Sequence, residues 1–158
     1  MKIVKGKDLK LSVETMAHLL EEDHLLQEIV GLSDEKMLLI YDYASELYED
    51  KKYQDASDIL YLLIILNPIN FYFWQAFGIA SLKIDDLPAA SAAFETAIAL
   101  DPSQPDPYLY LQEVLIKQRE MDAAKQINTF LKNNNFNYSS NELDVIIKKS
   151  DSLLGINK

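Results

Sequence analysis

The chain has 158 residues, enough for one domain of ordinary size, and 25 acidic against 15 basic side chains leave it a formal net charge of −10. That excess excludes nucleic acid as the main partner, because phosphate binding needs clustered Lys and Arg, and the absence of cysteine removes disulfides, thiol nucleophiles and thiolate zinc sites. A hydrophobic content of 49% with four glycines and five prolines excludes a disordered or collagen-like chain.

The first eleven residues carry four lysines and one aspartate, so the acidity lies in the rest of the chain. They read as a frayed end. Ser12 opens an amphipathic segment with Val13, Met16, Ala17, Leu20 and Ile29 mostly at helical spacing. Gly31 is a good residue to end it, and Ser33-Asp34-Glu35 restarts a helix with acids in the first turn. The longest apolar run, Ile59 to Leu66, has eight residues, against the roughly 20 that a membrane-spanning helix needs. No signal-peptide pattern follows the start, so the expected compartment is the cytoplasm, with no membrane insertion.

From there the chain repeats. Pro68 and Pro102 lie 34 residues apart, as do Ala56, Ala90 and Ala124, and Tyr53, Leu87 and Met121. That is the length of a tetratricopeptide unit, a pair of helices. The middle copy is the clearest: Trp74, Phe77 and Gly78, then Ala90, Phe94 and Ala97, then Asp101-Pro102, with Ser81 where Tyr is usual. Gly78 and Ala90 are small enough for close helix approach, with Trp74 and Phe94 expected to fill the space beside that contact, and Pro102 cannot continue a helix. The first copy fits more loosely through Ile40, Tyr43, Ala44, Leu47, Ala56, Leu60, Leu63 and Pro68. The third is weakest, because Gln112 stands at the Gly78 position and Asn128 at the Phe94 position, which predicts looser packing. Asn133 to Asn137 reads as a loop. Ser139 and Glu142 then make a capping box, followed by the apolar stripe Leu143, Ile146, Ile147 and Leu153. The fold class is therefore all-α: a solenoid of three helix pairs at 37–70, 71–104 and 105–138, an N-terminal helical extension at 1–36 and a C-terminal capping helix and tail at 139–158.

The residues offer little catalytic chemistry. Glycines at 6, 31, 78 and 155 form no phosphate loop. His18 and His24 are six residues apart and share no helix face, and Glu21-Glu22-Asp23 and Asp85-Asp86 read as solvated charge. The expectation is no enzyme, no metal and no cofactor.

A helix-pair solenoid has a concave face lined mainly by the first helix of each repeat. In the tetratricopeptide register the lining positions are Leu38, Tyr41, Ser45 and Tyr48, then Tyr72, Gln75, Ile79 and Leu82, then Asp106, Leu109, Glu113 and Ile116. Eight of these twelve are apolar or aromatic, although Leu82 and Ile116 fit a core role equally well. Regularly spaced Tyr and Leu suit an extended peptide that inserts apolar side chains. None of the twelve is basic or Asn, which argues against a clamp for a C-terminal carboxylate.

With these motifs in view the chain resembles the class II type III secretion chaperones over roughly residues 32–125. The likeness rests on Ile40-Tyr-Asp-Tyr-Ala44, Lys52-Tyr53-Gln-Asp-Ala56, Leu66-Asn-Pro68, Phe73-Trp-Gln-Ala-Phe-Gly78, Leu100-Asp-Pro102, Pro105-Asp-Pro107-Tyr108 and Glu113. The resemblance implies a cytosolic chaperone that holds an extended segment of a hydrophobic translocator subunit in its concave groove. It also implies a homodimer formed through the N-terminal region, where Met16, Leu20 and Ile29 offer apolar side chains. Ser45 departs from the family's common aromatic, and Gln112 and Arg119 replace small residues. A general scaffold or regulatory interaction module on the same fold is the alternative reading.

Overall fold

The computed structural model describes residues 25–134, 136 and 138–156. A single turn, α1 (Leu26–Ile29), precedes three antiparallel helix pairs: α2 (Asp34–Glu49) with α3 (Tyr53–Leu66), α4 (Phe71–Lys83) with α5 (Leu87–Leu100), and α6 (Asp106–Lys117) with α7 (Met121–Asn133). A last helix, α8 (Ser140–Leu153), packs on both α6 and α7. The other helices pack mainly on their chain neighbours, with α1 set against α3 and α4 also touching α6, as in a solenoid that buries its core between consecutive units.

The starts and stops have local chemical causes. Ser33 caps α2 by accepting from the Lys36 amide, Asn70 caps α4 through the Tyr72 amide, and Asp86 caps α5 through the Ala89 amide. The predicted capping box closes the start of α8: Ser139 Oγ accepts from the Glu142 amide, and Glu142 accepts from the Ser139 amide. Within each pair the turn is the same. Lys51, Asp85 and Arg119, 34 residues apart, have φ of 62°, 61° and 66°, in the left-handed region. The next amide in each case (Lys52, Asp86, Glu120) reaches back to a carbonyl five residues earlier, at 2.9, 2.9 and 2.8 Å. This is the Schellman stop, adopted here by three side chains that disfavour it. Gly31 stops α1 in the same way, as its residue type predicted, with φ of 70°.

The core is laid down pair by pair. Ala44, Leu60, Leu63 and Phe73 form the first cluster; Trp74 packs against it and donates from Nε1 to the Pro68 carbonyl at 2.6 Å, so it ties α4 to the preceding pair. Trp74 thus sits with the first pair's core and not beside the Gly78–Ala90 contact. Phe94 fills that space: it is fully buried, lies against Gly78 and stacks on Tyr110 of the next pair at 5.3 Å.

The two helices of the third pair meet less extensively than those of the second, as expected, and their polar core residues turn to the last helix instead. Gln112 is fully buried and Asn128 nearly so, and both bond to α8. Ser150 Oγ donates to Gln112 Oε1 at 2.5 Å and accepts from Asn128 Nδ2 at 2.8 Å, while Gln112 Nε2 donates to the Ser150 carbonyl at 3.2 Å. Asn128 also donates to Asp151 Oδ1 at 2.9 Å, which Lys132 reaches at 2.5 Å. That bond to Lys132, and then the one from Asn128, hold the Asp151 carboxyl below its usual range. Polar residues stand where a glycine and a phenylalanine serve the second pair because they clasp the last helix. Each buried group has a partner, which is the condition for such a network to be tolerated in a core.

Candidate functional site

The first helices of the three pairs, α2, α4 and α6, line one side of the solenoid, where three cavities run into one another. A cavity of about 180 Å³ lies between Tyr41, Ser45, Tyr48, Ala76 and Ile79. It shares Tyr41, Ala76 and Ile79 with a second, of about 380 Å³, toward the helix starts, which adds Tyr72, Gln75, Gln104, Asp106 and Tyr138. Tyr48 and Ile79 also border a third, of about 330 Å³, toward the helix ends, with Leu82, Lys83, Tyr110, Glu113 and Lys117. At the outer mouth a further cavity of about 380 Å³ is walled by Asp34, Met37, Leu38, Tyr41, Tyr72 and Phe73.

Ten of the twelve lining positions therefore face this continuous concavity: Leu38, Tyr41, Ser45, Tyr48, Tyr72, Gln75, Ile79, Leu82, Asp106 and Glu113. Leu109 does not. It is 8% exposed and clusters with Tyr108, Leu131, Phe136 and Ile146, because α8 and the preceding segment cover that part of α6 and turn a lining position into core. Ile29, expected at a dimer contact, is 9% exposed within the single chain. Met16 and Leu20, the other two residues of that expectation, lie outside the described residues.

The groove is apolar but not greasy throughout. Leu38 and Tyr72 are 58% and 67% exposed, much more than an aliphatic or aromatic residue needs for folding alone. Tyr41 is half-buried, its ring 5.9 Å from Phe73, and Tyr48 packs edge-on to Tyr53 at 5.1 Å, so both rings are held by neighbours. Partial burial, then the nearby Asp42 carboxylate, pushes the Tyr41 phenol above its ordinary value, and burial does the same for Tyr48. Both remain neutral hydrogen-bonding groups at physiological pH.

Tyr138 is a lining residue that the sequence did not reveal. It follows the asparagine-rich stretch read as loop, yet its hydroxyl meets Asp106 Oδ2 at 3.0 Å and Gln104 Oε1 at 3.1 Å across the upper rim. Its phenol is pushed up to about 12, first by burial and then by the bond to Asp106, so it stays protonated as a donor. Among the described residues no group of three His, Asp or Glu is placed to hold a metal ion, and no helix is long and apolar enough to cross a membrane.

A family model described as tetratricopeptide repeat matches residues 40–70. Solved structures extend the likeness over most of the chain. A type III secretion complex from Aeromonas hydrophila superposes with a TM-score of 0.75 at 15% identity, over 90% of this chain and 94% of that one. The Yersinia enterocolitica type III secretion chaperone SycD, in complex with a peptide of the translocator YopD, gives 0.71 at 18% identity, over 78% and 92%. PcrH in complex with the chaperone binding region of PopD gives 0.68 at 15% identity, over 79% and 92%. No curated protein sequence matches. At these identities the likeness is one of fold: the chain is an all-α tetratricopeptide-like solenoid.

Proposed function

We propose that this protein is a cytoplasmic chaperone that holds an extended segment of a hydrophobic type III secretion translocator in its concave groove, keeping the client soluble until export. The observation that carries the reading is the continuous groove with Tyr41, Tyr48, Tyr72, Leu38 and Ile79 on its walls. Solved proteins of the same fold that hold translocator peptides support it. Apolar side chains of an extended chain drop between such rings while its backbone keeps hydrogen-bonding. Ordering that chain offsets part of the contact energy, so the complex is releasable. A net charge of −10 raises the solubility of carrier and cargo together. No step of this function requires catalysis or a cofactor. The working form is proposed to be a homodimer.

The test is co-purification from the native cytoplasm with identification by mass spectrometry, followed by co-expression with the client. The double variant Tyr41→Ala and Tyr48→Ala is expected to leave the client insoluble. A client that stays soluble with the double variant refutes the groove assignment.

A second reading, a scaffold for a folded partner, is favoured by the outward face of α3, where Tyr61, Leu62 and Ile65 are 53%, 44% and 47% exposed, followed by Ile69 at 65%. Under it Tyr61→Ser with Ile65→Ser abolishes partner binding and the groove variants leave it intact.

A further inference from the structure

The concave surface continues past the third repeat. Beyond Tyr138 and Asp106 lies another cavity, of about 420 Å³, bordered also by Glu142, Val145, Ile146 and Lys149 of α8. The two residues are shared walls, so this cavity and the groove proper meet across the Tyr138 ring. Tyr138 is fixed there by Asp106 and Gln104. The platform beyond it is fixed as well, since Ser150 and Asp151 lock α8 to Gln112, Asn128 and Lys132. On that platform Ile146 turns into the core at 6% exposure, while Val145 stands 50% exposed. The charges around it are unequal: Asp106 is shared with the groove, Glu142 lies in the first turn of α8, and Lys149 is two turns beyond Glu142.

We infer that Tyr138 and α8 form an additional subsite for the client segment, which crosses the Tyr138 ring, lays an aliphatic side chain against Val145 and sets a basic residue toward Asp106 and Glu142. This rests on the groove reading above and adds the direction in which the segment leaves the repeats and the chemistry of its flank. The occupant follows from continuity, because an extended chain lying in the groove next to Tyr138 has this cavity as its neighbour. It follows also from charge, because the two carboxylates at the crossing favour a cation there. A subsite on a locked helix is a precise one, since little ordering remains to be done on binding.

The experiment starts from the complex purified with its client. Limited proteolysis gives the protected client segment, which is synthesised with a fluorescent label and titrated by anisotropy onto wild type, Val145→Gln and Tyr48→Ala. Val145→Gln is expected to bind about tenfold more weakly, the worth of one covered aliphatic side chain, and to protect a segment shorter at one end only. Its thermal melt is expected to match wild type, because Val145 is on the surface. Unchanged affinity and unchanged fragment ends with Val145→Gln, while Tyr48→Ala weakens binding, overturn the subsite and leave the groove reading standing. If neither variant weakens binding, the groove reading itself fails. A change in the free protein's molar mass with Val145→Gln overturns the inference differently, by assigning the face to a second copy of this chain.

Discussion

Gly78→Ala puts two effects of opposite sign against each other. In a helix interior alanine is more favourable than glycine by about 1 kcal/mol. At this position, however, an added Cβ would stand 2.7, 2.8 and 2.9 Å from Cε1, Cζ and Cδ1 of Phe94. The ring has no room to swing away, because Phe94 is fully buried and stacked on Tyr110 at 5.3 Å. Overpacking of this kind costs about 1–3 kcal/mol, and three contacts well inside van der Waals distance place it at the upper end. The net expectation is a loss of about 1–2 kcal/mol, read as a drop in Tm of about 3–6 °C for a domain of this size. Urea and thermal unfolding followed by circular dichroism measure it. In a Phe94→Leu background the clash is relieved, so adding Gly78→Ala there is expected to be neutral or stabilising, and the double-mutant cycle gives the coupling. A single variant as stable as wild type, or more so, would show that the close approach of α4 and α5 is not what demands a glycine.

Arg119 adopts a φ of 66°, so Arg119→Gly is expected to stabilise by about 0.5–1 kcal/mol, the left-handed strain removed less the extra freedom of glycine in the unfolded chain; a lower urea midpoint refutes it. Ser150→Ala strands Gln112 Oε1 in the core and removes one of the two bonds of Asn128 Nδ2, at a cost of about 1–3 kcal/mol, and hydrogen exchange should show α8 amides exchanging faster while those of α4 stay as in wild type. Equal rates in α8 would mean the clasp holds nothing. Tyr138 has its phenol raised to about 12 in the folded chain, above the ordinary 10, so its contribution is fully present below pH 10 and is lost between about pH 10 and 12. Tyr138→Phe should flatten the fall in stability over that window, and an unchanged slope in urea midpoint against pH counts against the Tyr138–Asp106 bond.

The period of 34 residues, the small Gly78 and Ala90, the helix stop at Gly31 and the capping box at Ser139 and Glu142 were all readable from the sequence alone. These depend on contacts within a turn or two, or on a repeat that each unit copies from the last, so residue type and spacing carry the information. The groove was readable for the same reason, as register positions on successive first helices. Leu109, Gln112, Asn128 and Tyr138 were not. Leu109 shares its register with Tyr41, yet α8 covers it; Gln112 and Asn128 show no sign in the sequence of the tie to Ser150 of the last helix. Tyr138, just past the stretch read as loop, carries no groove signal until Asp106 and Gln104 hold it at the rim. Sequence period says which face of a helix points toward a neighbour; it does not say which distant segment arrives there. That choice rests with the docking of α8, a contact 22 to 38 residues away along the chain, and it decides where the core ends and the concave surface begins.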